Sequence, residues 1–309
     1  MRVFVTGASG WIGSAIVEEL IGAGHQVVGL ARSDAAATAI AAAGAEVHRG
    51  TLEDLDSLRA GAIAADGIVH TAYRHDLVFS GDLLGACETD RRAVEALGEA
   101  IVRSNRPLVI ASGTPGLTPG IAGTEDDAPD PVAAVWPRLP SERAVLALAA
   151  RGVRCSVVRS APSVHGEGDY GFVPALIGIA RASGVSGYID DGSSRWAAVH
   201  RLDAARLFRM ALETAPAGAA LHAVADEGVQ HRAIAERIGR ALDLPVASIP
   251  RERAAEQFGL FAGFFGADLP ASSALTRIRT GWKPAHPGLL EDLERPHYFH
   301  DRAAATPPA

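Results

Sequence analysis

Three glycines near the start of the chain constrain its fold more than any other feature. Gly7, Gly10 and Gly13 recur every third residue, directly after a β-rich run, Arg2–Thr6, and at the head of a helical run, Ile12–Ala23. Glycines at such a junction let the backbone turn tightly, approach a pyrophosphate closely and aim helix N-terminal N–H groups at its oxygens. Side chains there would block that approach. A plain strand–turn–helix connection is the competing reading, and the rest of the N-terminal half bears on the choice. Further strands are expected at Gln26–Ala31, Glu46–Arg49, Asp66–Thr71, Arg106–Ser112 and Arg154–Arg159. Helices are expected at Asp34–Ala43, Glu88–Ser104 and Ser141–Arg151. This alternation predicts an α/β fold, a doubly wound parallel sheet with helices on both faces.

After Arg159 the pattern loosens. Ala161–Asp169 and Tyr188–Arg195 read as loops, Trp196–Val199 and Leu221–Val224 as late strands, and Gln230–Leu242 as an amphipathic helix. Asp203 is placed to cap a helix running to Thr214. Gly113–Pro140 holds too many prolines, glycines and acids for regular structure and reads as a functional lid or mobile segment. Ala303–Ala309 reads as a frayed tail.

Composition excludes several classes. A net charge of −7 argues against nucleic acid as the main partner. No uncharged run approaches the roughly 18 apolar residues of a membrane span, and the early glycine turn leaves no room for a signal peptide. Cys87 and Cys155 are the only cysteines, so a disulfide framework is excluded and a reducing, cytoplasmic setting is expected. His297 and His300 have metal-like spacing but no third ligand nearby, and a metal site is rejected. Lys283 is the only lysine, so any step needing a lysine amine must use it.

The end of the second strand selects the dinucleotide. A carboxylate there would bind a ribose 2′-hydroxyl and repel a 2′-phosphate. This strand ends Leu30-Ala31-Arg32-Ser33, with no acid before Asp34. Arg32 can clamp a phosphate and stack on adenine, and Ser33 can donate a hydrogen bond. The expected cofactor is NADP(H).

The chain resembles the extended and atypical short-chain dehydrogenase/reductase superfamily, the NAD(P)-dependent epimerase/dehydratase group. The resemblance rests on VTGASGWIG at 5–13, DGIVHTA at 66–72, VRSAPSVHGEGD at 158–169, VHRLDAA at 199–205 and TGWKP at 280–284. It implies an NAD(P)-binding Rossmann domain over 1–165, completed by 195–225. It further implies a substrate-binding lobe from 166–194 and 226–300, with 301–309 as a flexible tail. Cofactor contacts are implied at Thr6, Gly7, Gly10, Trp11, Ile12, Gly13, Ala72, Tyr73, Ser112, Arg138, Pro162 and Val164. A homodimer through helices 88–104 and 141–151 is a further implication.

The departures from the family matter as much. Its proton relay pairs a tyrosine with a lysine four residues on; counting back from Glu142 puts Ala134 and Arg138 in those places. None of Tyr73, Tyr170, Tyr188 and Tyr298 has a lysine four positions on. The family's catalytic serine maps to Ser112-Gly113-Thr114, where either hydroxyl can bind a substrate carbonyl. Its steadying asparagine maps to Asp90, which reads equally as a helix N-terminal charge. Candidate replacements for the missing acid are Tyr73 and His75, then His165, with Tyr170 facing the same space; for each, a pocket-wall role competes. His200 and Asp203 read as structural, Arg195 as an anion contact. Phe258, Phe261, Phe264 and Phe265 read as the core of a small helical lobe or the wall of an apolar pocket.

The expected activity is NADP(H)-dependent hydride transfer to or from a small carbonyl or alcohol, with Ser112, Thr114, Tyr73 and His75 as catalytic candidates. The alternatives are a catalytically silent NADP-binding sensor or scaffold, and an NAD-dependent sugar-nucleotide epimerase or dehydratase.

Overall fold

The computed structural model describes residues 1–130 and 138–299. The first half runs β1 (Arg2–Thr6), α1 (Trp11–Gly22), β2 (Gln26–Ala31), α2 (Asp34–Ala42), β3 (Glu46–Arg49), α3 (Leu55–Ile63) and β4 (Gly67–His70). It continues with α4 (His75–Phe79), α5 (Leu83–Glu99), β5 (Pro107–Gly113), α6 (Leu139–Ala150) and β6 (Arg154–Ser160). Next come β7 (Ser163–His165), α7 (Phe172–Ser183), β8 (Ser186–Ile189), β9 (Arg195–His200), α8 (Arg201–Thr214) and β10 (Ala219–Ala223). The remainder holds β11 (Asp226–Gln230), α9 (His231–Leu242), β12 (Val246–Ile249), α10 (Ala254–Phe258), α11 (Ala262–Phe265), α12 (Ala274–Thr280) and α13 (Leu289–Asp292).

Seven strands form one parallel sheet in the order β10-β6-β5-β4-β1-β2-β3. Runs such as Val3-Phe4-Val5 and Leu108-Val109-Ile110 are wholly buried, as a parallel sheet covered on both faces requires. On one face α1 and α8 bring Ile16, Leu20, Leu207 and Phe208 against it. On the other, α3, α5 and α6 bring Leu58, Leu97, Val145 and Leu148. Strand order reverses direction between β1 and β4, which opens a crevice at the carboxyl ends of those two strands. The doubly wound α/β expectation is therefore met.

A third core gathers Val173, Ile177, Trp196, Ile234, Ile238, Phe258 and Phe265. It sits beside a three-stranded sheet, β11-β9-β7, and the parallel pair β12-β8. Phe264 stacks on Phe172 at 4.3 Å, so of the expected roles for the phenylalanines the structure supports lobe core.

Several boundaries differ from expectation. Helix α3 was not anticipated; Asp54 caps it by accepting from the Ser57 N–H. Helix α5 begins at Leu83, not Glu88, because Asp82 accepts from the Gly85 N–H and starts it earlier. The expected loop 161–169 contains β7, and 188–195 contains the end of β8, because both segments find strand partners far away in sequence. Within 113–140, Gly113 completes β5, Thr114–Gly116 forms a single 3₁₀ turn and Gly123 bridges to Ala271; residues 131–137, Ala134 included, lie outside the described residues, as do His300 and the tail. Asp203 does not cap α8. The His200 ring takes that role by accepting from the Leu202 N–H, while Asp203 reaches across to the 285 and 286 N–H groups at 2.9 Å each.

Candidate functional site: a dinucleotide cleft at the carboxyl ends of β1 and β4

The glycine turn is built by sterics. Gly7 has φ +71°, and a Cβ there would lie 2.6 Å from the Ala72 nitrogen, so the tips of β1 and β4 touch only if residue 7 has no side chain. A Cβ on Gly13 would sit 1.9 Å from the Gly7 oxygen. The Gly10 N–H closes the turn on that oxygen at 2.9 Å. Above Gly10 the space is open, since a Cβ there would meet only the Gly7 oxygen, at 3.2 Å. Gly10 caps α1 with no side chain, which leaves first-turn N–H groups for an anion. Ile12 packs on the sheet core and holds the helix start in place. A helix N-terminus with open space above its glycine, where the Trp11 N–H meets only the Tyr170 hydroxyl at 3.1 Å, fits a pyrophosphate.

At the end of β2, Arg32 is 44% exposed and its nearest carboxylate is Asp76, 3.8 Å away. Ser33 caps α2 by accepting from the Ala36 N–H, and its own hydroxyl proton remains to be donated. Asp34, the first acid after the strand, is turned onto Arg49 at 2.6 Å.

Beyond β4 the cleft holds a connected polar cluster. The Thr6 hydroxyl meets His70 at 2.8 Å, and the other His70 nitrogen lies 3.1 Å from Asp90. Asp90 also accepts from Ser141 at 2.5 Å and faces Arg138 at 3.7 Å. Burial alone would raise the Asp90 carboxyl, but Arg138 and the His70 hydrogen bond outweigh it and hold its pKa below the ordinary value. Arg138 donates to the carbonyls of Ala111 at 2.7 Å and Ala72 at 2.8 Å, tying β5 to the segment after β4. Its guanidinium lies 4.5 Å over the Tyr73 ring.

Tyr73 packs edge-on against His75 at 5.2 Å, so the structure brings together these two candidates and Arg138. Burial and the neighbouring Cys87 thiol push the Tyr73 phenol above its ordinary value, with Arg138 opposing. The imidazole of His75 is lowered by the protein crowded around it and by the Arg138 charge.

The two hydroxyls after β5 part company. Ser112 donates to Glu142 at 2.5 Å, and Glu142 is paired with Arg159 at 2.8 Å, all three buried. The Thr114 hydroxyl is buried without a hydrogen-bond partner among the described residues. Pro162 is buried, and the Val164 carbonyl accepts the Trp11 indole N–H at 2.9 Å, which docks the segment after β6 on the glycine turn.

Other candidates lie elsewhere. His165 is fully buried and bonded to Asp292 at 2.8 Å, so it serves the packing under β7 instead of facing the cleft. Arg195 is held by Asp268 at 2.7 Å, so its charge is already paired. His297 faces Asp292 at 3.6 Å, and among the described residues no three histidine, cysteine or carboxylate side chains gather to hold a metal ion. Nor does any helix among them have the length and apolarity to cross a membrane. Two participants escaped the sequence reading. His70 stands inside the DGIVHTA motif, and Arg201, inside VHRLDAA, lies 4.2 Å over the Trp11 ring; only the fold shows what they touch.

A seven-stranded doubly wound sheet with an open glycine turn at its switch point defines a Rossmann-type dinucleotide-binding protein. Residues 3–224 match the NAD dependent epimerase/dehydratase family, and the chain belongs to that family, which binds nicotinamide dinucleotides. An uncharacterized protein of Schizosaccharomyces pombe is 48% identical, over 97% of this chain and 100% of its own length. A 4-hydroxy-2-methyl-3-oxo-4-farnesyl-3,4-dihydroquinoline-1-oxide ketoreductase of Stigmatella aurantiaca is 28% identical, over 71% of this chain and 66% of its own. Among solved structures, a dTDP-glucose 4,6-dehydratase from Streptomyces venezuelae with NAD bound shares the fold. Its TM-score is 0.73 at 20% identity, covering 95% of this chain and 96% of that one.

Proposed function

We propose that this chain is an NADP(H)-dependent oxidoreductase that reduces a small carbonyl compound. The observation that carries the cofactor preference is the end of β2. There Arg32, 44% exposed and only loosely paired with Asp76 at 3.8 Å, is placed to meet a 2′-phosphate, while Asp34, the carboxylate that would repel it, is engaged by Arg49. The ketoreductase relative supports the reaction class.

When bound, the nicotinamide supplies a hydride to the carbonyl carbon. The Thr114 hydroxyl, buried and unpartnered among the described residues, donates to the carbonyl oxygen and polarises it. The Tyr73 phenol, with its pKa pushed up, keeps its proton at neutral pH and delivers it to the oxygen as negative charge develops. Arg138 over the ring steadies the phenolate left behind, which takes its proton back from solvent with His75 packed against the ring edge. Ser112 holds Glu142 in place beneath this site.

The test is a parallel fluorescence titration with NADPH and NADH. NADPH is expected to bind at least tenfold more tightly (about 1.4 kcal/mol), and Arg32→Ala is expected to erase that difference. Equal binding by the unaltered protein would refute the preference and favour the NAD-based epimerase alternative. In a carbonyl panel with NADPH, the paired change Tyr73→Phe and His75→Ala is expected to abolish turnover while leaving NADPH affinity nearly intact. Undiminished turnover would remove both residues from the mechanism. Tight binding with no hydride exchange on any carbonyl would favour the silent sensor.

A further inference from the structure

We propose that Tyr170 is a removable stopper of the phosphate-binding turn, competing with the dinucleotide for the Trp11 N–H. This rests on the dinucleotide reading of that turn. In the structure the Trp11 N–H, at the first position of α1, donates to the Tyr170 hydroxyl at 3.1 Å. A first-turn N–H has no partner within its own helix, and it carries one proton. While Tyr170 accepts that proton, a pyrophosphate oxygen cannot.

The contact joins residues 159 apart in sequence, and several features hold it in place. The Tyr170 and Trp11 rings meet edge-on at 5.8 Å. Tyr170 rides on a strap, residues 166–171, with Gly166 at φ +142° and Gly168 at φ +92°. A Cβ on Gly168 would lie 3.3 Å from the Trp11 ring, so the strap lies close over the indole. The strap is tied down on its far side: the Gly166 N–H donates to the Tyr298 hydroxyl, which donates to Asp169 at 3.1 Å, and Asp169 accepts from the Gly171 N–H at 2.7 Å. The anchor and the stopper are therefore separate, and the Tyr170 side chain can leave while the strap stays.

Tyr170 is 38% exposed, so its ring has solvent to swing into. The exchange favours the ligand because an N–H bonds an anionic phosphate oxygen more strongly than a neutral phenol. Beside the turn, Arg201 stacks on the Trp11 ring and donates to Ser14 at 3.1 Å. Its Nε is buried without a hydrogen-bond partner among the described residues, and Glu18 is the carboxylate whose charge acts on it. The stopper thus closes a turn that already has a half-buried guanidinium beside it.

The test is Tyr170→Phe, which keeps the ring packing on Trp11 and deletes only the competing hydroxyl. Calorimetric titration with NADPH should show binding roughly two- to tenfold tighter than in the unaltered protein, the worth of one net hydrogen bond. In the free proteins, hydrogen exchange at the Trp11 amide should be faster in the variant, and NADPH should protect that amide in both. If both proteins bind NADPH and the variant binds equally or more weakly, the stopper is refuted and the dinucleotide reading stands. Unchanged exchange at the free Trp11 amide would refute it as well. If neither protein binds NADPH or NADH, the dinucleotide reading itself fails and the stopper falls with it.

Discussion

Replacing Glu142 by glutamine tests the buried charges beneath the cleft. Glu142 and Arg159 are paired with side chains only 7% and 6% exposed. One carboxylate oxygen takes two bonds from Arg159, at 2.8 and 3.1 Å, and the other accepts from Ser112 at 2.5 Å. Glutamine preserves the shape but removes the charge, leaving a buried guanidinium whose remaining close partner is the Asp127 carbonyl at 3.0 Å. Breaking a buried pair from one side costs about 3–5 kcal/mol, a large part of the roughly 5–15 kcal/mol that stabilises a typical domain. The expected outcome is an unfolding free energy lowered by that amount, seen as a lower urea midpoint at unchanged slope, and a melting temperature lower by roughly 5–8 °C. Arg159→Gln should cost a similar amount. The double variant should cost clearly less than the sum of the two, because neither charge is then stranded. A loss under about 1 kcal/mol for Glu142→Gln, or strict additivity of the pair, would refute the view that these charges hold each other in the core.

Two further predictions concern the turn and its strap. Gly13→Ala would place a Cβ 1.9 Å from the Gly7 oxygen; the turn must open, and dinucleotide affinity should fall at least tenfold (about 1.4 kcal/mol) while far-UV circular dichroism stays native. Affinity at the original level would show that the turn does not hold the pyrophosphate. Burial pushes the Asp169 carboxyl up to about 6, against the opposing hydrogen bonds from the Gly171 N–H and the Tyr298 hydroxyl. A carboxyl raised in the folded state favours folding when protonated. Its contribution is therefore complete below the ordinary aspartate value and is lost as pH rises through about 6, about 3 kcal/mol in all for a shift near two units. Asp169→Asn should lack that component, so urea midpoints of the two proteins measured from pH 4 to 7 should diverge; parallel curves would refute the assignment.

Much of the fold was legible because its signals are local. A glycine that alone tolerates φ +71° at residue 7, and runs such as Val3-Phe4-Val5 that can only be buried on both faces, state their structure within a few residues. The same holds for Arg32 standing where an acid would otherwise be read, and for the lack of a lysine four places after any tyrosine. Helix α3 was missed and α5 was started too late because Asp54 and Asp82 become caps only once the backbone turns toward them. The site was less legible, because residue type tells which bonds a side chain can make, not which it makes. Ser112 and Thr114 are equivalent in sequence, yet α6 brings Glu142 to one of them. His165 looked like a cleft residue until Asp292, 127 positions away, took its ring nitrogen. The bond from the Trp11 N–H to Tyr170 likewise exists only because the strap after β7 packs over the start of α1, 159 residues away in sequence. Backbone conformation is set by neighbours in sequence, whereas hydrogen-bond partners are set by neighbours in space.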